Sequence, residues 1–251
     1  MRIGAAMALL AALALSEAAC TSGELFKQYE YEEDVYLSLD GSAIVYVNSS
    51  VAALDALRGA SFDTASNAVV DRDAVRAWFT TPVTQVTRRP TLSRRGGRRF
   101  VHVRLDADDV RSLSQAAPLA WSTYSFGKDG DFFAYRQVVG VPAGKGGGDP
   151  GWTGDEIVAF RLHLPSNVVY TNASAENHKR GNILVWEQPL RERLRGEPLT
   201  LEARIESQSI LSRTLLLFGV TALAVAISFG LVLWWVLRRG RARGQAGRGR
   251  P

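Results

Sequence analysis

Between residues 20 and 213 the chain is dominated by a period of two. Val35, Leu37 and Leu39 alternate with Tyr36, Ser38 and Asp40; Asp40-Gly41 is a tight-turn pair and Ile44 to Val47 answers it, which predicts a hairpin. A second hairpin is expected from Val83 to Leu92, turning at Arg94-Arg95-Gly96-Gly97 and returning through Phe100 to Leu105. A third joins Trp121–Phe126 to Phe132–Val139 through Gly127-Lys128-Asp129-Gly130. Further on, Val158, Phe160, Leu162 and Leu164 share one face, with Arg161 and His163 on the other. Leu199, Leu201, Ala203 and Ile205 alternate with Thr200, Glu202, Arg204 and Glu206. One dry face and one wet face argue for antiparallel sheet.

Helical spacing interrupts this pattern three times. Val51 to Leu57 reads as a short helix, and Asp71 caps a segment whose Val75, Trp78 and Phe79 fall on one side. Asp106 or Asp108 opens a third, with Val110, Leu113 and Ala117 on one side and Pro118 just past its end. The expected class is α+β: a curved antiparallel sheet with about three helices on its dry face, followed by one C-terminal transmembrane helix.

That last helix stands out. Residues 214–237 carry no charge, and 24 residues of helix span about 36 Å, enough for a hydrocarbon core of about 30 Å. Trp234 and Trp235 stand near its end, and Arg238, Arg239, Arg241, Arg243, Arg248 and Arg250 follow as a positive flank expected in the cytoplasm. At the other end, residues 1–19 read as an export signal: Arg2, an apolar run from Ile3 to Leu15, then small residues at Ala18 and Ala19. Cleavage after Ala18 and cleavage before Cys20, the lone cysteine, both remain open. Cys20 is the candidate lipidation site, although Glu17 stands where a lipoprotein peptidase takes an apolar residue. The organisation is therefore a signal (1–19), an exported α+β domain (20–213), a membrane span (214–237) and an arginine-rich tail (238–251).

Charge narrows the choice of function. Of 30 Lys and Arg, seven lie in the tail or at Arg2, leaving 23; of 25 Asp and Glu, Glu17 lies in the signal, leaving 24. The exported domain is near neutral, so the basic balance belongs to a membrane-facing tail and no nucleic-acid partner is expected. Arginine far outnumbers lysine and alanine and glycine abound, a bias that suggests a GC-rich bacterial gene.

No catalytic or metal motif is present. Gly144-Lys145-Gly146-Gly147-Gly148 lacks the Ser or Thr that follows the lysine of a phosphate-binding loop, and reads as a flexible loop. His102 and His163 fall on polar strand faces and His178 in a polar loop, without paired-ligand spacing. Glu30, Glu32, Glu33 and Asp34 read as an exposed edge strand protected by charge; Asp106, Asp108 and Asp109 read as a helix start. Arg88-Arg89, Arg94-Arg95 and Arg98-Arg99 read as a solvated turn that anionic headgroups or a partner could meet. Ala222, Ala226 and Gly230 recur every four residues in the span, the spacing for self-association as a homodimer. The expectation is a non-enzyme with no cofactor and no metal.

The whole plan resembles the LppM-type bacterial lipoproteins. The likeness rests on Phe100 to Leu113 (FVHVRLDADDVRSL), on Ile157 to Val168 with Pro165, and on Gly181 to Leu190 with Trp186. It implies an envelope protein with a lipid- or glycolipid-binding fold and no catalysis. The leading expectation is a single-pass protein of the bacterial cell membrane, its domain outside the cytoplasm, binding a lipid or other apolar envelope ligand between sheet and helices. Trp78, Phe79, Trp121, Phe126, Phe160 and Trp186 would supply the apolar surface. The alternative is a non-catalytic interaction or scaffold module of the envelope.

Overall fold

The computed structural model describes residues 27–65, 67–144, 150–174, 182–207 and 210–246. The signal, Cys20, His178 and most of the glycine-rich loop lie outside the described residues.

Strand β1 (Tyr29–Leu37) turns at Gly41, whose φ of 93° suits glycine, and pairs antiparallel with β2 (Ala43–Ser50). Ser50 ends the strand and starts a helix: its hydroxyl accepts from Ala53 N at 3.0 Å, capping α1 (Val51–Arg58). That helix stops at Gly59, which is left-handed at φ 71°. Asp71 caps α2 (Arg72–Phe79) by accepting from Asp73 N at 2.9 Å, and the helix buries Val75 and Phe79.

The second expected hairpin is shorter than its pattern suggested. Pro90, with no N–H to give a ladder, separates β3 (Gln85–Val86) from β4 (Thr91–Arg95), and both pair with β5 (Arg98–Ala107) at different points. The third expected helix is not α-helical. Asp109 caps a 3₁₀ segment, Val110–Gln115, and Pro118 lies inside a second one, Ala117–Leu119, rather than past the end. Then follow β6 (Ser122–Asp129), β7 (Phe132–Val139), β8 (Ile157–His163), β9 (Val168–Thr171), β10 (Ile183–Pro189), α3 (Leu190–Leu194), β11 (Leu199–Glu206) and α4 (Ile210–Ala246).

The α+β class holds, but the strands form two sheets rather than one. The larger runs β10-β8-β1-β2-β5, with β3 and β4 along the far side of β5; the smaller runs β6-β7-β11-β9. Antiparallel pairing prevails with one exception, β1 beside β8, which lies parallel. The chain leaves β1 by one edge and returns beside it more than a hundred residues later, a crossover that local periodicity cannot announce.

The two sheets meet through their dry faces. Tyr31, Val35, Leu37, Phe160, Leu162 and Trp186 come from the larger, and Tyr124, Phe126, Tyr135, Leu201, Ala203 and Ile205 from the smaller. Helix α1 buries seven of its eight residues, and Val51, Ala53, Leu54 and Leu57 join the same core. The six aromatic residues expected to line a lipid pocket are core members or, for Trp78, packed against it. Trp121 lies 5.4 Å from Tyr31 and 5.8 Å from Phe160, ring to ring. They fill the space between sheet and helices instead of lining an opening.

Candidate functional site

The outer face of the larger sheet presents ordered cross-strand rows. Register places Ile183, His163, Tyr36, Ile44 and Asp106 side by side on five strands. The next row runs Val185, Arg161, Asp34, Tyr46 and Arg104. Both rows follow from the period of two: once Tyr31, Val35 and Leu37 face the core, Glu32, Asp34 and Tyr36 must face outward.

At the end of the first row the surface sinks into a hollow of about 580 Å³. Its wall includes Tyr36, His163, Ile44, Asp106, Asp108 and Asn182, and Asp106 is ion-paired with Arg104 Nη2 at 3.2 Å. Tyr36 and His163 stack at 3.8 Å with an 11° interplanar angle, and Tyr46 meets Tyr36 edge-on at 5.5 Å. Tyr36 stays 42% exposed, so the stack offers a flat aromatic face to an incoming molecule.

Charges below the stack are matched in pairs. Arg161 reaches Glu32 at 2.7 Å and Asp34 at 3.1 Å. Burial opposes the Arg161 charge, but its hydrogen bonds and the two carboxylate charges outweigh that and raise its pKa. Burial raises the Asp34 carboxyl above its ordinary value despite Arg161. Burial lowers the His163 imidazole, and Arg161 lowers it further. Burial and then Arg95 lower His102, which bonds Ser93 at 2.8 Å and Asn48 at 2.9 Å.

These two imidazoles imply a pH dependence. Both are harder to protonate in the fold than in the unfolded chain, where they take up a proton below about pH 6.5. The unfolded state then binds more protons, so stability falls as pH drops from about 6.5 through the lowered folded values. Denaturation compared at neutral and mildly acidic pH should show that loss, and His163→Asn should reduce its slope. An unchanged slope in the variant would remove His163 from the account.

The second notable cluster is buried. Glu33 lies on the dry parity of β1, at 0% exposure, between the two sheets. It accepts from Tyr31 Oη at 2.8 Å, Tyr124 Oη at 2.9 Å and Gln137 Nε2 at 2.9 Å, and pairs with Arg58 from the last position of α1. The Arg58 guanidinium also bonds Tyr31 Oη and lies over the Trp121 ring at 3.7 Å. Arg193 of α3, fully buried, donates to Gln188 Oε1 at 3.2 Å and to Gly140 O at 2.5 Å, and faces the same indole at 5.5 Å. Burial, then the Arg58 charge, lowers its pKa. Burial holds Tyr31, Tyr124 and Tyr135 well above the usual phenol range. The cluster ties sheets and helices together.

Glu30 is buried too, ion-paired to Arg98 Nε at 2.8 Å, and its other oxygen accepts from Trp152 Nε1 at 3.1 Å. Expecting an exposed, charge-protected edge from Glu30 to Asp34 was therefore wrong. The strand is interior, flanked by β8 and β2, and its carboxylates are partnered.

Comparison with solved structures finds one likeness, the folded domain of Mycobacterium tuberculosis LppM determined by NMR. It is 13% identical, covers 73% of this chain and 94% of that one, and has a TM-score of 0.40. No protein-family profile and no curated protein matches the sequence. At that identity and score, nothing about a ligand passes from that domain to this chain.

The remaining sequence candidates separate in space. The arginine run divides: Arg88, Arg89, Arg94 and Arg95 stay exposed, while Arg98 and Arg99 are partly buried. Arg98 serves Glu30, Arg99 donates to the carbonyls of Ala68 and Asp63, Arg95 to Tyr29 O at 2.5 Å, and Arg89 meets Asp73 at 3.5 Å. Asp109 caps the 3₁₀ segment and chelates Arg111, while Asp106 and Asp108 border the hollow. Ala222, Ala226 and Gly230 lie in α4, whose stretch Thr214–Trp235 is long and apolar enough to cross a membrane and is not buried by the rest of the chain. The sequence reading missed the hollow. The signal available was the outward parity of Tyr36 and His163, which adjacent strands bring together only through the parallel pairing.

Proposed function

We propose that this chain is a single-pass protein of the bacterial cell envelope. Its signal is removed, Cys20 is its lipidation site, its α+β domain stands outside the cytoplasm, and the arginine tail remains inside. In this reading the domain binds the neutral, hydroxyl-rich part of a glycolipid or related envelope lipid in the hollow beside Tyr36. The carrying observation for the membrane is the unburied apolar stretch Thr214–Trp235. The carrying observation for the ligand is the Tyr36–His163 stack at the mouth of a hollow whose described wall includes the carboxylates of Asp106 and Asp108.

The chemistry favours a polyol over a phosphate. Asp108 and the Arg104-paired Asp106 offer carboxylate oxygens as acceptors for hydroxyls, and an aromatic face packs against the C–H face of a sugar ring. No catalysis, metal or cofactor is assigned.

The test is binding by the full chain in detergent, comparing a neutral glycolipid with phosphatidylglycerol and analysing co-purified lipid by mass spectrometry. The glycolipid should bind preferentially. The double variant Tyr36→Ala, His163→Ala should weaken it about tenfold, the equivalent of roughly 1.4 kcal/mol of lost stacking. No retained lipid and no binding of either probe would sink the ligand half of the proposal.

A further inference from the structure

The short link between the domain and α4 fixes which end of the domain lies nearest the membrane. β11 ends at Glu206, helix α4 begins at Ile210, and the apolar stretch begins at Thr214. Four extended steps reach at most about 14 Å. The first turn of helix adds about 6 Å. The end of β11 thus lies within about 20 Å of the hydrocarbon boundary, and the interfacial layer takes up part of that distance.

That end of the smaller sheet is well defined. Phe132 is the register partner of Glu206 on one side. On the other, Glu206 N donates to Asn167 O at 3.0 Å, and Asn167 Nδ2 donates to Glu206 Oε2 at 3.2 Å. The β6–β7 turn at Gly130 projects beyond Glu206 along the direction in which β11 runs. Strand β9 then carries a bulge: Val168 pairs with Ile205 and Tyr170 with Arg204, so Val169 is the extra residue. A bulge on an edge strand re-aims a side chain out of the ladder.

What it exposes here is apolar. Val169 is 52% exposed, Tyr170 50% and Phe132 37%, an unusual concentration at one end of a sheet whose inner face is closed. Aromatic side chains of this kind settle at the headgroup level of a bilayer. The charges nearby do not offer an electrostatic reason for the contact. Asp129 is paired with Arg204 at 3.3 Å and Glu206 is held by Asn167, leaving Lys128 and Asp131 exposed with opposite signs.

We propose that the end of the smaller sheet carrying Phe132, Val169 and Tyr170 is a contact surface for the bilayer that α4 enters. The proposal rests on the membrane reading of Thr214–Trp235. The contact is apolar and uses no net attraction to anionic lipid. It holds the domain close to the bilayer surface in place of letting it swing on its link.

The test uses the full chain with Cys20→Ser, reconstituted in phosphatidylcholine nanodiscs doped with lipid spin-labelled near the headgroup. An environment-sensitive fluorophore is attached in turn at Val169→Cys, Tyr170→Cys, Glu197→Cys and Leu216→Cys. Glu197 precedes β11 at the far end of the same sheet, and Leu216 lies in the apolar stretch. The expected result is a blue-shifted, quenched signal at 169, 170 and 216, unaffected by salt, and neither effect at 197. Quenching at 216 with 169 and 170 behaving like 197 overturns this contact and leaves the span intact. Equal quenching at 197 overturns it as well, since the domain then lies flat. Loss of quenching at 216 overturns the membrane reading itself.

Discussion

Replacing Arg58 by Met should destabilise the domain by about 3–5 kcal/mol, the range for removing one partner of a buried ion pair. Arg58 is 4% exposed and Glu33 0%. The guanidinium meets Glu33, bonds Tyr31 Oη and lies over Trp121 at 3.7 Å. Removing it leaves a carboxylate enclosed between two sheets with only neutral donors, Tyr31, Tyr124 and Gln137, to support its charge. For a domain of this size, such a loss lowers the thermal midpoint by roughly 6–20 °C.

The cause is tested by adding Glu33→Gln. The pair is not itself a large net stabiliser, because desolvating both ions offsets most of their attraction. If the penalty of Arg58→Met comes from a stranded charge, the double variant should recover part of the lost stability, and the two substitutions should be strongly non-additive. Urea denaturation followed by tryptophan fluorescence gives the cycle. A loss below about 1 kcal/mol for Arg58→Met would place the cluster among the surface-like pairs and refute this account.

Glu33 also shows what the sequence made legible and what it hid. The hairpin β1–β2, the third hairpin, β11, the Asp71 cap and the apolar helix follow from local rules, since period, turn chemistry and caps act within a few residues. The run Glu30-Tyr31-Glu32-Glu33-Asp34 misled because charge density suggested an edge. Parity held the better clue: Glu33 shares the face of Tyr31, Val35 and Leu37, so a carboxylate had to be buried there and to find a cation. Which cation was not legible. Arg58 arrives from the end of α1, and Arg98 reaches Glu30 from β5, by pairings that only the assembled sheet brings about. The hollow was hidden for the same reason. Tyr36 and His163 are 127 residues apart, and the parallel β1–β8 register alone sets one beside the other. The division into two sheets was likewise invisible to periodicity, which reports a wet and a dry face but not which strand lies across the core.

Placing charge in the apolar stretch should have the largest effect on where the protein resides. Thr214–Trp235 is 22 residues, about 33 Å of helix, so it matches a hydrocarbon core with little to spare. Each arginine near the centre of such a helix opposes insertion by about 2.5–3.5 kcal/mol. The pair Leu223→Arg, Ile227→Arg puts two on one face within a turn, and the roughly 5–7 kcal/mol they add shifts the partition by several orders of magnitude. Both sites are exposed, Leu223 at 62% and Ile227 at 55%, and make no contact with the domain core, so folding should be spared. With Cys20 replaced by Ser, so that no lipid anchor competes, the expected result is movement of the chain from the membrane pellet to the carbonate-soluble fraction, with the domain's thermal midpoint unchanged. The conservative pair Leu223→Ala, Ile227→Ala should stay in the pellet. A doubly charged variant that remains carbonate-resistant, with Cys20 also replaced by Ser to remove any lipid anchor, would show that α4 does not hold the protein in the bilayer. The contact proposed for Phe132, Val169 and Tyr170 would then lose its basis as well, because chain connectivity to an inserted helix is what brings that end of the sheet to the membrane.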